Sequence, residues 1–174
     1  MHLVFKAPRS TFQVIWHMVM WHDAQAHCHA IGGHLAAFEA EDEYSAIAAF
    51  VPRKSYHFGL NDIEVEGRYV WEHNGKAIGP HQSWAPNEPS GSDREDCGTM
   101  FAGEWGDLNC YDETRARHFM CEFETEQSSA FQPGVFTPTP LRRYSPFDAL
   151  LFACADLQTL GVYYVSPNFT VLCI

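Results

Sequence analysis

Six cysteines are the most reactive side chains of this 174-residue chain, and their spacing limits the chemistry open to them. They stand at positions 28, 97, 110, 121, 154 and 173, and no two of them form a Cys-x-x-Cys pair. A zinc ribbon or a thioredoxin-like redox site therefore has no support. Widely spaced cysteines in a domain of modest size are typical of disulfide bonds, and hence of an oxidising compartment.

Three of the ten histidines, His22, His27 and His29, lie close together and invite comparison with a zinc site. A zinc-protease helix places two histidines at i and i+4, with a glutamate beside the first. Here Asp23 stands in place of that glutamate, and the wider spacing of His22 and His27 would point their rings in different directions on a helix. No phosphate loop, dinucleotide fingerprint or Gly-x-Ser-x-Gly motif is present. We therefore predict exposed polar histidines and no enzymatic activity.

The net charge of the chain excludes some classes of binding partner. The formal net charge is −11, from 22 acidic and 11 basic residues. Binding to nucleic-acid phosphate needs clustered Lys and Arg, so we predict no nucleic-acid partner. Docking on an anionic membrane is disfavoured for the same reason, and no apolar stretch is long enough to predict a membrane span. An acidic domain suits a cationic partner or a bound metal ion.

The spacing of apolar residues predicts two helices in the first part of the chain. The first has apolar residues at i, i+3 and i+7 and ends at a pair of glycines; its stripe is Trp21, Ala24 and Cys28. The second follows an acidic stretch and is closed by a proline; its stripe is Tyr44, Ile47, Ala48 and Val51. From Tyr56 onward, short apolar runs alternate with turn residues, which indicates strands and loops. The pattern predicts an α+β fold.

A long loop is expected between His73 and Cys97, where the chain holds three prolines and three glycines. Loops of that length in compact domains are usually functional. A proline-rich segment after residue 125 then separates the first part from an apolar end. The predicted organisation is a domain at 11–125, a Pro/Ser/Thr-rich linker at 126–146 and an apolar tail of unknown structure at 147–174.

The motifs, taken in order, resemble the C-type lectin-like domain. The resemblance covers residues 12 to 123 and rests on Trp21-x-x-Ala24-x-x-x-Cys28, Gly32-Gly33-His34-Leu35-Ala36, Phe58-Gly59-Leu60, Trp71, Gly75, Trp84-Ala-Pro-Asn-Glu88-Pro89, Glu95-Asp96-Cys97, Trp105-Gly-Asp107-Leu-Asn-Cys110 and Cys121-Glu122. It implies two helices with small antiparallel sheets and a long loop region, held together by disulfides. It also places Trp71 and Trp105 in the core, while Trp84 could lie in the core or stack on a sugar.

The resemblance further implies a disulfide pairing. Four cysteines permit three connectivities, between which the residues alone do not choose. The family pattern implies Cys28–Cys121 and the nested pair Cys97–Cys110. Cys154 and Cys173 lie outside the resemblance, and their pairing with each other or with another chain is left open.

A calcium site is implied in the long loop region. In sugar-binding members of the family the ion is held by residues that match Glu88, Glu95 and Asp107 here, and it coordinates two vicinal hydroxyls of the sugar. Ca2+ prefers six to eight oxygen ligands and tolerates exchangeable ones, so the chemistry is consistent. The resemblance makes Ca2+ the expected cofactor and Glu88, Ser90, Glu95 and Asp107 the expected carbohydrate-binding residues.

Two positions depart from the sugar-binding pattern. Ser90 and Gly106 both stand where the family has Asn, so that the motif is Glu-Pro-Ser and both amides are lost. Each lost hydrogen bond to a polar ligand costs about 1–3 kcal/mol, which predicts weak binding of single sugars. The proline of this motif is expected to be cis. An auxiliary Ca2+ site is implied at Asp62, Glu66 and Asp96, with solvated surface charge as the alternative.

The sequence thus leads to a carbohydrate-binding module, Ca2+-assisted through a degenerate motif, with a Ca2+-independent protein-binding domain of the same fold as its rival. The expected partner is a glycoconjugate or a protein ligand. The expected location is extracellular. The apolar run Leu3-Val4-Phe5 is too short for a signal peptide, which suggests a fragment or a missing upstream signal.

Overall fold

The computed structural model describes residues 3–7, 9–91, 94–124, 161–166 and 169–173, the last two ranges as strands without their side chains. The elements, in chain order, are β1 (Leu3–Lys6), β2 (Ser10–Val19), α1 (Trp21–Ala30), β3 (His34–Leu35), α2 (Glu41–Phe50), β4 (Ser55–Asn61), β5 (Val70–Trp71), β6 (Cys97–Phe101), β7 (Glu104–Leu108), a 3-10 turn (Glu113–Arg115), β8 (Arg117–Glu124), β9 (Gly161–Ser166) and β10 (Phe169–Cys173). The α+β prediction is confirmed.

The strands are hydrogen-bonded in the order β7-β6-β4-β8-β2-β1-β10-β9, with β3 joined to β8 and β5 joined to β4. All pairs are antiparallel except β4 with β8, which run parallel. Strand β2 shows why its residues form a sheet, since Ser10, Phe12 and Val14 are buried and alternate with partly exposed neighbours. This sheet contains β7, which carries Asp107, and β8, which ends at Glu124.

Both predicted helices are present at the expected places. Helix α1 buries Trp21, Ala24 and Cys28, and the indole Nε1–H of Trp21 donates a hydrogen bond of 2.8 Å to the Phe58 carbonyl in β4. Helix α2 begins with three acidic residues, whose charge is favourable at the positive end of the helix, and its last residue is Phe50. The helices thus pack on the sheet as the apolar stripes predict.

The implied disulfides are confirmed. Cys28 of α1 bonds to Cys121 of β8 with their Cα atoms 5.4 Å apart, and Cys97 bonds to Cys110 with a Cα separation of 5.2 Å. The first joins helix α1 to the centre of the sheet, and the second ties β6 to the end of β7. Cys154 and the side chain of Cys173 lie outside the described residues.

The aromatic core is built around the indole of Trp105 in β7. That ring lies within about 6 Å, centroid to centroid, of a shell of aromatic rings from separate elements; these rings are Phe38, Tyr44, Phe58, Trp71, His81 and Trp84. The expected burial of Trp71 and Trp105 is confirmed. Because β7 also carries Gly106 and Asp107, this core fixes the strand from which the principal site is built.

The expected linker at 126–146 lies outside the described residues, and so does most of the tail. Strands β9 and β10 belong to that tail, and β10 pairs with β1 from Leu3↔Cys173 to Lys6↔Thr170. The boundary at residue 125 stays a prediction. In the described part of the chain, no helix has the length and apolarity that crossing a membrane requires.

Candidate functional site

Asp107 in β7 anchors the long loop. Its buried carboxylate accepts a hydrogen bond of 2.6 Å from the Tyr69 hydroxyl on Oδ2 and one of 3.0 Å from the backbone N–H of Ser90 on Oδ1. The loop residue that follows the Glu-Pro pair is therefore fastened to a strand of the sheet. Tyr69 is a member of the site that sequence reasoning missed, and only its place just before β5 could have suggested it.

Glu88 lies beside Asp107. The Glu88–Pro89 peptide bond is cis, as the resemblance implies, and Oε2 of Glu88 accepts a hydrogen bond of 3.3 Å from the Asp107 backbone N–H. Burial first, and then the neighbouring carboxyls of Asp107 and Glu95, raise the pKa of Glu88. The negative charges of Asp107 and Glu95 thus act on Glu88 in addition to its burial.

Ser90 connects the site to its third carboxylate. The Ser90 hydroxyl donates a hydrogen bond of 2.5 Å to Oε2 of Glu95, and the guanidinium Nη2 of Arg115 lies 3.8 Å from Oε1 of the same group. Both oxygens of Glu95 thus have partners, one of them cationic. The four residues expected to bind carbohydrate, Glu88, Ser90, Glu95 and Asp107, form one hydrogen-bonded chain.

The residues expected to form the auxiliary site lie next to this hydrogen-bonded set of residues. Asp62 is buried, its Oδ2 accepts a hydrogen bond of 2.7 Å from the Gly67 N–H, and its own N–H donates one of 3.1 Å to the Asp96 carbonyl. Burial raises the pKa of Asp62, and the charges of Asp96 and Asp107 add to the effect. Oδ1 of Asp62 is buried and has no hydrogen-bond partner among the described residues. An unpartnered carboxylate oxygen is suited to a hard cation such as Ca2+.

Tyr69 joins the principal and auxiliary groups. Its hydroxyl bonds to Asp107 and also approaches the Asp62 carboxyl. Burial and these carboxylates raise the pKa of Tyr69, so the hydroxyl keeps its proton and acts as a donor. Glu66 is exposed, and its charge acts on Tyr69. The two sets of predicted ligands are thus adjacent parts of one acidic surface.

Trp84 lies at the edge of the core. Its ring is partly buried, 4.8 Å from the ring of Tyr69 and 5.9 Å from that of Trp105, and its Nε1–H donates to Gln82. Of the two roles left open for Trp84, packing against the core is the one for which the structure provides contacts.

The three clustered histidines do not converge. The ring of His22 packs 4.8 Å from that of Tyr111, and the exposed His29 reaches Glu72 at 3.3 Å. His27 lies exposed against the ring of Phe119. His27 and His29 are exposed as predicted, whereas His22 is half-buried. His22 and His27 thus contact different neighbours, as the different directions predicted from their spacing require.

Comparison with known proteins identifies the family. Residues 18–123 match the family model described as the Lectin C-type domain, which is more than half of the chain. The chain belongs to the C-type lectin domain family. The matched range contains α1, α2 and β3 to β7, nearly all of β8 and all residues of both acidic groups.

The relatives include lectins from animals of several kinds. The chain is 34% identical over 119 residues to lectin BRA-3 of Megabalanus rosa, which covers 65% of this chain and 67% of that protein. It is 33% identical over 108 residues to collectin-10 of Mus musculus, covering 59% of this chain. The chain spans only 38% of the length of that collectin.

Solved structures share the fold. The carbohydrate-recognition domain of the mouse scavenger receptor C-type lectin superimposes with a TM-score of 0.60 at 25% identity, covering 67% of this chain and 92% of that one. A calcium-independent type II antifreeze protein matches with a TM-score of 0.59 at 24% identity, covering 66% and 86%. The same fold therefore occurs in a sugar-recognition domain and in a protein described as calcium-independent.

Proposed function

We propose that this chain is a carbohydrate-binding C-type lectin module in which Glu88, Glu95 and Asp107 hold Ca2+. The observation that carries the proposal is the hydrogen-bonded link that joins Glu88 to Asp107, Asp107 to Ser90 and Ser90 to Glu95. Carboxylate oxygens are ligands that Ca2+ prefers, so the residues fit the ion. The sequence match to lectin BRA-3 and to collectin-10 supports sugar as the ligand class.

The bound ion would supply coordination of two neighbouring sugar hydroxyls. Glu88 and Glu95 would then accept hydrogen bonds from the sugar hydroxyls, and Asp107 would keep the loop attached to β7 through the Ser90 N–H. Ser90 contributes a short hydroxyl in place of an amide, and that hydroxyl already serves Glu95. Binding of a single sugar is therefore expected to be weak, and several copies of the module or a branched glycan would be needed for avidity.

The auxiliary acids would hold a second ion. Asp62 provides the buried oxygen without a partner among the described residues, Asp96 provides charge beside it, and the charge of Glu66 acts on the adjoining Tyr69. This ion would stabilise the loop, since the Asp62 carboxylate already holds the Gly67 N–H.

The proposed setting is extracellular and the proposed role is binding without catalysis. Two disulfides form and persist in oxidising compartments, which supports secretion or an ectodomain. The partner is then a glycoconjugate presented outside the cell.

Thermal unfolding with and without Ca2+ tests the ion. Ca2+ binds the folded loop and not the unfolded chain, so it should raise Tm by several degrees at saturation. Glu88→Gln should remove most of this increment, while the matched control Glu104→Gln, which changes an exposed acid at the start of β7, should keep it. Glycan-array binding in Ca2+ or in a chelator tests the sugar. Absence of a Ca2+ response together with absence of glycan binding would contradict the proposal.

The rival function is protein binding without Ca2+. It is favoured by Ile63 and Val65, which are 43% and 51% exposed in the loop after β4, and by the loss of both amides. Under this alternative a partner would bind equally well in chelator, and Ile63→Ser with Val65→Ser would weaken it while Glu88→Gln would not.

A further inference from the structure

A second cleft opens beside the start of α2, at residues that belong to neither acidic group of the long loop. It has a volume of about 750 Å³ and contains the side chains of His34 and His73. Its charged rim is strongly acidic, with one arginine against five carboxylates; the charged residues are Arg9, Glu39, Asp42, Glu43, Glu122 and Glu124. Such a rim favours a cation inside the cleft.

His34 is held in one tautomer. Its Nδ1 lies 2.8 Å from the Leu35 carbonyl, which can only accept, so Nδ1 carries the proton. Nε2 therefore presents a lone pair, and this atom is buried without a hydrogen-bond partner among the described residues. A backbone carbonyl on one ring nitrogen is the usual arrangement that orients the other nitrogen toward a metal ion.

His73 presents a second nitrogen without a partner. Its Nδ1 is buried and unbonded among the described residues, while Nε2 lies 2.7 Å from the Asn74 amide nitrogen. The Asn74 oxygen accepts from the Lys76 N–H, which identifies the amide nitrogen as the donor to His73. Nδ1 of His73 becomes a ligand when the proton moves to Nε2 and the exposed Asn74 amide turns away.

Glu124 completes the group at the end of β8. One ring nitrogen of His34, one of His73 and a carboxylate oxygen of Glu124 all lie within 4.8 Å of one another. From this proximity we infer that His34, His73 and Glu124 bind a divalent transition-metal ion of the zinc class. Two imidazoles and one carboxylate form a ligand set that Zn2+ accepts, with open positions left for water.

The ligand types separate this site from the proposed calcium site. Ca2+ is bound by oxygen, whereas two of the three groups here are imidazoles, which suit Zn2+, Cu2+ and Ni2+. The two rings stack with centroids 4.1 Å apart and planes 12° apart, so binding requires the rings to rotate until their lone pairs converge.

Calorimetric titration of the full chain with Zn2+ tests the inference. The buffer contains saturating Ca2+ at about pH 7.5, so that oxygen sites are already occupied. We expect one Zn2+ per chain, with affinity reduced at least about ten-fold in His73→Phe and in Glu124→Gln. Phenylalanine keeps the ring stack on His34 but removes the ligand nitrogen. His17→Ala, at an exposed strand histidine outside the cleft, is the matched control and should bind as the parent does.

The outcomes are distinct. Zn2+ binding that survives in Glu88→Gln shows independence from the proposed calcium site, whereas its loss there overturns the inference. A parent that takes up no Zn2+, or equal affinity in parent, His73→Phe and Glu124→Gln, also overturns it. Glu124→Gln changes an exposed residue at a strand end, so it remains informative if His73→Phe does not fold.

Discussion

The Glu88 carboxylate lies against Gly106, so that a β-carbon placed on this glycine would stand 3.3 Å from Cδ of Glu88 and 3.5 Å from its Oε2. Gly106 does not lie in the left-handed region, so its backbone accepts other residues. The missing side chain therefore provides the space into which Glu88 folds to reach the Asp107 N–H. The absence of the family asparagine at position 106 therefore permits the observed position of Glu88.

The double substitution Ser90→Asn with Gly106→Asn should strengthen sugar binding about ten-fold or more. Each amide restores an oxygen for Ca2+ and a donor for a sugar hydroxyl, and each hydrogen bond contributes about 1–3 kcal/mol. The flexible Glu88 side chain must move by a few tenths of an ångström to accommodate the new β-carbon. Affinity for immobilised monosaccharide, in Ca2+ and in chelator, measures the effect. A folded double variant with unchanged binding would contradict this role of the two positions.

Arg115→Gln should increase Ca2+ affinity about two- to five-fold. The guanidinium lies 3.8 Å from Oε1 of Glu95 and competes with the ion for that carboxylate, and a pair this exposed contributes little more than about 1 kcal/mol. Calorimetric titration with Ca2+ measures the change. Arg53→Gln is the control, because Arg53 lies near the ring of Phe101 instead. A decrease in affinity would mean that Arg115 positions Glu95 for the ion.

The frame of the domain was predictable because its signals are local or pairwise. Helical spacing places Trp21, Ala24 and Cys28 on one face of α1, and these three residues are buried. The disulfides followed from the resemblance and not from spacing, since the residues alone permit three pairings. What the sequence could not provide was the contact of Glu88 with Gly106, which depends on how a loop folds back over β7.

The residues of the second cleft could not be predicted from the sequence. His34, His73 and Glu124 belong to β3, to the loop after β5 and to the end of β8, and no short motif joins them. The histidines that stand close together in the sequence, at 22, 27 and 29, contact three different residues, Tyr111, Phe119 and Glu72. Proximity in the chain was therefore a poor guide to metal ligands, and the sheet register that pairs His34 with Glu122 was the missing information.

Truncation after Glu126 should lower Tm by several degrees and leave the domain folded. The proline-rich composition favours a separate tail, but β10 pairs with β1 over four residues, and its removal turns β1 into an edge strand. Val171→Pro in the full chain, which removes a backbone donor opposite Phe5, should reproduce part of the loss. Thermal melts of both variants measure it. Unchanged Tm in both would show that the domain at 11–125 is independent of the tail.

Acid should destabilise the domain through His57. This buried ring donates Nε2–H to the Val19 carbonyl at 3.0 Å, and burial lowers its pKa from 6.5 to about 4, with Arg117 adding to the effect. At acid pH the unfolded chain therefore binds a proton at His57 that the folded chain does not bind. The stabilisation is complete above about pH 6.5 and is lost as pH falls toward 4. The contribution is at most about 3 kcal/mol. Urea unfolding at about pH 7 and about pH 4.5 measures it. His57→Gln should flatten the pH dependence, whereas the exposed control His17→Gln should not, and a parallel loss in all three proteins would show that other groups cause it.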